Sequence, residues 1–139
     1  MIDTALLKRI VETAKLTKEE TVLEIGAGKG ALTREILKGN KSLTIIEKDP
    51  KLAKELQHKF PHCTTIQADA TTITLPKATV CIANLPYTIC EPLLWQFIRT
   101  EIERCILVIP KRFSKRLTGE IVSSLQILTE TFYHIKTLE

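Results

Sequence analysis

Three carboxylates and one asparagine stand where short apolar runs give way to loops. Glu24 lies just ahead of Gly26-Ala27-Gly28-Lys29-Gly30, Glu47 follows Ser42-Leu-Thr-Ile-Ile46, Asp69 sits in Ala68-Asp69-Ala70, and Asn84 opens Asn84-Leu85-Pro86-Tyr87. Each type suits a different part of one ligand. A carboxylate at Glu24 would repel a pyrophosphate but attract an ammonium or a sulfonium. Glu47 comes about 20 residues beyond the glycine turn, the place from which an acidic side chain accepts hydrogen bonds from both ribose hydroxyls. Asp69 is placed to accept from an adenine amino group. An amine, a ribose and an adenine together describe S-adenosylmethionine.

The glycines by themselves are weaker evidence, because any tight turn from strand to helix uses them. The dinucleotide fingerprint G-x-G-x-x-G would require glycine at position 31, where the chain has Ala31, although alanine is sometimes accepted there. The phosphate-binding pattern G-x-x-x-x-G-K-[ST] is absent.

Asn84-Leu85-Pro86-Tyr87 suits a different task. An exocyclic amino group on a base is a poor nucleophile, since its lone pair is delocalised into the ring. The Asn84 side-chain oxygen and the carbonyl of Leu85 or Pro86 can hold both of its hydrogens, favour a more tetrahedral nitrogen and aim the lone pair at a methyl group. Pro86 stiffens the turn and offers no competing N–H, and Tyr87 presents a flat face on which an extruded base can stack. No general base is strictly required.

The elements that must position these residues are legible from the spacing of apolar positions. Leu6, Leu7, Ile10, Val11 and Ala14 predict an amphipathic helix over Thr4 to Ala14. Strands are expected at 21–25, 42–46, 63–67, 79–83 and 105–109. Helices are expected at 31–38, from Asp49-Pro50 to Pro61, at 92–99 and at 120–131, with 132–138 as a last strand. Continuous Val, Ile, Leu and Thr runs, alternating with helices, predict a doubly wound α/β domain whose mainly parallel sheet is covered on both faces. In such a fold ligands bind beyond the carboxyl ends of the strands, which is where the carboxylates and Asn84 fall.

Composition agrees with a single globular domain over residues 1–139: 44% hydrophobic, 26% charged, formal net charge +4. No apolar run approaches the roughly 18 to 20 residues of a membrane span, and Met1-Ile2-Asp3-Thr4 lacks a signal peptide's layout, so a cytoplasmic protein with no membrane partner is expected. Oligomeric state is left open, with a monomer as the simplest expectation. Cys63, Cys81, Cys90 and Cys105 form no C-x-x-C pair and read as small buried hydrophobes. His58 and His62 are four apart, but Pro61 intervenes, so no metal site is expected. Trp95 reads as core. Lys111, Arg112, Lys115 and Arg116 cluster after the fifth strand at helical spacing, with Phe113 and Leu117 as that helix's buried side. They can hold RNA phosphates or simply form a solvated face.

The segments "VLEIGAGKGALT", "IIEKD", "ADA" and "NLPYTICEPLL", in this order and spacing, resemble the ribosomal-RNA adenine N6-dimethyltransferases of the small-subunit type, with the macrolide-resistance methylases close behind. "IDTALLKRIVETA" also resembles the segment after that family's first cofactor motif. The resemblance implies a Rossmann-like class I methyltransferase domain acting on ribosomal RNA or the small ribosomal subunit. Gly26, Ala27 and Gly28 would line the methionine end of the cofactor, Glu47 and Lys48 the ribose region, and Asp69 with Ala70 the adenine. Asn84 would serve cofactor and target amine, and Tyr87 would stack on the target base. The implied reaction is transfer of two methyl groups to adenine N6.

Family members carry Gly-Gln-Asn-Phe-Leu before the counterpart of Ile2 and continue beyond the counterpart of Leu138 into F-x-P-x-P-K-V and a helical RNA-binding domain. The chain runs from Met1 to Glu139. The expectation is therefore a catalytic core lacking the last antiparallel strand and the C-terminal helical domain, either a piece of a longer enzyme or a minimal relative. The alternative function is a non-catalytic RNA-binding or ribosome-assembly factor that keeps the fold.

Overall fold

The computed structural model describes residues 4–118 and Ile135. The helix and strand expected over 120–138 lie outside the described residues, Ile135 apart. The elements in chain order are α1 (Thr4–Ala14), β1 (Val22–Ile25), α2 (Ala31–Ile36), β2 (Leu43–Glu47), α3 (Pro50–Lys59), β3 (Thr64–Gln67), β4 (Val80–Asn84), α4 (Tyr87–Ile98), β5 (Arg104–Val108) and α5 (Lys111–Leu117). Every adjacent strand pair is parallel, in the order β3-β2-β1-β4-β5. The chain therefore runs outward from β1 to one edge, then crosses back to start again at β4. The crevice where the order reverses, between the carboxyl ends of β1 and β4, is the ligand site that such a sheet provides.

Strand alternation divides the core in two. Val22, Leu43, Ile45, Val80 and Ile82 point to the face covered by α1, α2 and α3, where Leu7, Ile10, Ala14, Leu32, Ile36 and Leu56 pack. Leu23, Ile25, Ile46, Cys81 and Ala83 point to the opposite face, under Cys90, Leu93, Leu94 and Phe97 of α4 and Phe113 and Leu117 of α5. Both faces are covered, which is why β1 and most of β2 and β4 are buried along their length and read as unbroken apolar runs.

Four expectations need correction. α4 starts at Tyr87, five residues before Pro92, which sits inside the helix. Proline's preference for a first turn suggested the later start; the ring removes one N–H···O bond, and burial of Cys90, Leu93, Leu94 and Phe97 offsets it. As a result Tyr87, Glu91 and Trp95 recur at helical spacing on the face turned away from that core. Trp95 is accordingly 38% exposed and not core. Leu6 is likewise exposed, because the inner side of α1 is Leu7, Ile10 and Ala14, with Val11 partly buried against the same core. Cys81 and Cys90 are buried, but Cys63 and Cys105 are only half-buried, since Cys63 precedes the edge strand β3 and Cys105 lies on β5, at the sheet's other described edge. Among the described residues no helix is long and apolar enough to cross a membrane, and no three His, Cys, Asp or Glu side chains are grouped to hold a metal.

Candidate active site

β1 ends at Ile25, and the turn that follows needs three left-handed residues in close succession: Gly26 at φ 73°, Gly28 at 58° and Gly30 at 80°. Only glycine adopts this region without strain. The three differ in what surrounds them. A Cβ on Gly30 would lie 2.5 Å from a ring carbon of Phe60 and 3.0 Å from a Leu56 methyl, so Gly30 is there to let α2 close against α3. A Cβ on Gly28 would meet nothing within 4 Å. A Cβ on Gly26 would come to 4.0 Å from the Asn84 carbonyl, so the glycine turn after β1 and the Asn84 motif after β4 face each other across the switch point.

Glu47, the last residue of β2, is buried, and its carboxylate is already organised. Oε2 accepts from the Gly28 N–H at 2.8 Å, and Oε1 accepts from the Asp49 N–H at 2.9 Å. A carboxylate has about four acceptor positions, so roughly two remain for a diol. The bond to Gly28 also ties the second loop to the first.

Glu24 is not a loop charge. It occupies an interior position of β1 and is 1% exposed, pointing to the α2 side, where Oε2 accepts from the Thr33 hydroxyl at 2.7 Å. Oε1 is buried without a hydrogen-bond partner. Burial pushes its pKa up from 4.5 to about 7, against the lowering effect of Thr33, with the neighbouring Glu47 charge pushing the same way. A cation brought beside it would relieve that cost.

Asp69 caps its own turn. Oδ1 accepts from the Thr71 N–H at 3.0 Å and the Thr71 hydroxyl at 2.7 Å, while Oδ2 pairs with Lys48 at 2.8 Å. The hydrogen bonds from Lys48 and Thr71 hold its pKa down at about 2. Lys48, three-quarters exposed, thus occupies the Asp69 oxygen that Thr71 leaves open. Ala70 is buried in the core, so what it can offer a ligand is its backbone. Ala27 is half-buried, and its carbonyl accepts the Gly30 N–H to close the turn.

Asn84 is exposed at the end of β4, and the Leu85 N–H donates to the Val108 carbonyl of β5 at 2.9 Å, fixing where the motif leaves the sheet. The Pro86 carbonyl already receives the Ile89 N–H at 3.2 Å and the Cys90 thiol at 3.3 Å. Among the described residues nothing donates to the Leu85 carbonyl. Of the two carbonyls the sequence left open, Leu85 is thus the one with capacity for an amine. Tyr87, 42% exposed, stands edge-on to Phe113 with ring centroids 5.7 Å apart.

The basic cluster divides. Lys111 and Arg112 are exposed, and Lys115 and Arg116 are half-buried. Arg116 bonds Glu91 at 3.2 Å and lies 5.7 Å over the Phe113 ring. Its pKa is raised, first by its interaction with the Tyr87 side chain. Arg116 and Tyr87 both pack on the Phe113 ring, a placement that the charge pattern did not suggest. Thr33 and Phe113 also escaped the sequence reading as site residues, since only folding brings their helices to Glu24 and Tyr87. Thr71 carried a usable signal, a hydroxyl two residues after an aspartate in a turn.

Fold and site define a Rossmann-like class I methyltransferase domain, a doubly wound sheet with a glycine turn and an amide-and-carbonyl slot at its switch point. The chain belongs to the family described as "Ribosomal RNA adenine dimethylase", whose profile matches residues 1–139. It is 34% identical over 144 residues to ribosomal RNA small subunit methyltransferase A of Thermotoga maritima, covering 98% of this chain and 52% of that one. With the protein of the same name from Chlorobium limicola it shares 37% identity over 112 residues, covering 77% and 42%. Among solved structures, the 23S rRNA methyltransferase ErmE superposes with a TM-score of 0.81 at 30% identity, covering 94% of this chain and 56% of that one. A dimethyladenosine transferase from Plasmodium falciparum gives 0.77 at 29%, covering 84% and 45%. The chain spans about half the length of the curated relatives it matches.

Proposed function

We propose that this chain carries out S-adenosylmethionine-dependent methylation of adenine N6 in ribosomal RNA, with small-subunit RNA as substrate and two methyl groups added. The carrying observation is the approach of Gly26 to the Asn84 carbonyl, which sets a cofactor turn and an amine-holding motif side by side at the switch point. Family membership and the names of the relatives from Thermotoga maritima and Chlorobium limicola support the same reading. The same proposal puts the activity in the cytoplasm.

The residues present fit the cofactor. Glu24 has an orphaned buried oxygen suited to a cation, Glu47 has acceptor capacity for a diol, and the space beside Gly28 is open. Asp69 and the Ala70 backbone would take the adenine, and Lys48 would adjust to it. When bound, the sulfonium supplies an electrophilic methyl. The chain's own residues present the nucleophile. Asn84 Oδ1 and the Leu85 carbonyl accept hydrogen bonds from the two N6 hydrogens before the first transfer, and one of them from the hydrogen that remains before the second. They draw the lone pair out of conjugation and aim it across the gap toward the Gly26 turn, and the nitrogen releases one proton to solvent for each methyl gained. Tyr87, packed edge-on against Phe113, stacks the extruded base. Lys111, Arg112 and Lys115 hold RNA phosphates.

Calorimetry with S-adenosylmethionine tests the first half, and absence of binding would favour the assembly-factor alternative. Labelled-methyl transfer to under-methylated small ribosomal subunits tests the second. Asn84→Ala should lose transfer by at least roughly 100-fold while keeping the circular dichroism spectrum.

A further inference from the structure

The outer face of α4 continues past the Asn84 motif into a groove of about 540 Å³ between α4 and α5, lined by Tyr87, Thr88, Glu91, Trp95, Phe113 and Arg116 together with Pro92. That volume lies within the roughly 300–1,000 Å³ of small-ligand sites. Two large aromatic side chains stand exposed on it, Tyr87 at one end and Trp95 at the other. They are eight residues apart on one helix, about 12 Å along its axis.

We propose that this groove seats the base of a nucleotide flanking the target adenine, with Trp95 as its stacking platform. The inference rests on the RNA-substrate reading and deepens it by naming where the strand goes after the target base is extruded at Tyr87.

Three observations favour a single-stranded RNA as the occupant. The groove is continuous with the catalytic motif, since Tyr87 belongs to both. Its polar floor is an Arg116–Glu91 pair at 3.2 Å, in which the guanidinium offsets the one acidic charge that would repel a nucleic acid. Exposed Lys111 and Arg112 open α5, the helix that supplies Phe113 and Arg116 to the groove, and bring positive charge for the strand's phosphates. Aromatic faces interleaved with cations are how proteins hold unpaired strands, and stacking tolerates any base.

Trp95 is the only tryptophan in the chain, so it reports on its own contact. A single-stranded adenine-containing decaribonucleotide is titrated into the 139-residue chain, reading tryptophan emission and, with a labelled strand, anisotropy. The expected result is saturable quenching of Trp95 over the concentration range in which anisotropy rises. Trp95→Leu should weaken binding roughly 5- to 150-fold, the loss of one stacked base, while Trp95→Phe keeps affinity within about 5-fold. Circular dichroism of both variants checks that the fold is kept.

Anisotropy that rises while Trp95 emission stays unchanged overturns the proposal, as does unaltered affinity in Trp95→Leu or no RNA binding at all. Emission that shifts with protein concentration alone, matched by self-association in sedimentation, would give the groove to a second copy and overturn it too. Failure of the function itself shows elsewhere, as absent cofactor heat or absent methyl transfer.

Discussion

Replacing Glu24 by glutamine separates what this residue costs the fold from what it offers a ligand. Glu24 is 1% exposed, with one oxygen unpartnered, and its pKa stands near 7 instead of 4.5. Between those values the folded protein holds a proton that the unfolded chain has released, so stability falls as pH rises through the window. It is intact below about 4.5 and fully diminished above about 7. The shift corresponds to about 3 kcal/mol, an order-of-magnitude figure. Glu24→Gln keeps an acceptor for the Thr33 hydroxyl and cannot ionise. Urea unfolding should find the variant within about 1 kcal/mol of the parent near pH 4.5 and more stable by about 3 kcal/mol at pH 8. Cofactor affinity should move the other way, because glutamine cannot balance an ammonium or sulfonium. In the parent, binding near pH 6 should release close to one proton, read by calorimetry in buffers of different ionisation enthalpy. A stability difference that does not change with pH, or gains in stability and affinity together, would refute the reasoning.

The glycine turn gives a paired prediction. Gly28→Ala should destabilise by about 1–2 kcal/mol from its positive φ alone, yet impair S-adenosylmethionine binding, because its methyl enters open space at the site. Gly30→Ala adds overpacking against Phe60 and Leu56 and should cost about 2–5 kcal/mol. Chemical denaturation distinguishes the two, and equal costs would count against the assignment. Asn40 is buried, with its amide donating to the Thr17 and Glu20 carbonyls at 2.7 and 2.8 Å and accepting from the Ser42 N–H at 2.8 Å. Asn40→Ala should cost about 3 kcal/mol in thermal or urea unfolding, and a change below about 1 kcal/mol would contradict those bonds. Lys48→Met should raise the Asp69 pKa from about 2 toward 3.8, visible by carboxyl NMR titration. Stability should change by less than about 1 kcal/mol, since the pair is exposed.

The succession of elements was legible because apolar runs, caps and breakers are local. Asp49-Pro50 announces α3, and the structure shows the Asp49 side chain accepting from the Lys51 and Leu52 N–H groups as that pattern requires. The candidate site residues were legible for a related reason: in a parallel sheet every strand ends on the same side, so residues at and after the strand ends converge without knowledge of the packing. Glu47, Asp69 and Asn84 stand at such ends, whereas Glu24 lies inside β1.

Side-chain environment was a different matter, since it depends on what lies across the chain. Whether a glutamate in Val-Leu-Glu-Ile is solvated or buried is decided by α2 closing over it and offering Thr33. Whether Trp95 is core or exposed depends on which face of α4 meets the sheet, and Pro92 misled about where that helix begins. Arg116 reads as one more cation in a basic run until Glu91, Phe113 and Tyr87 are brought around it. Local spacing thus determined the fold class and which residues gather at the sheet's rim. Only the tertiary structure decided their charge, their partners and their exposure, because those are set by neighbours tens of residues away along the chain.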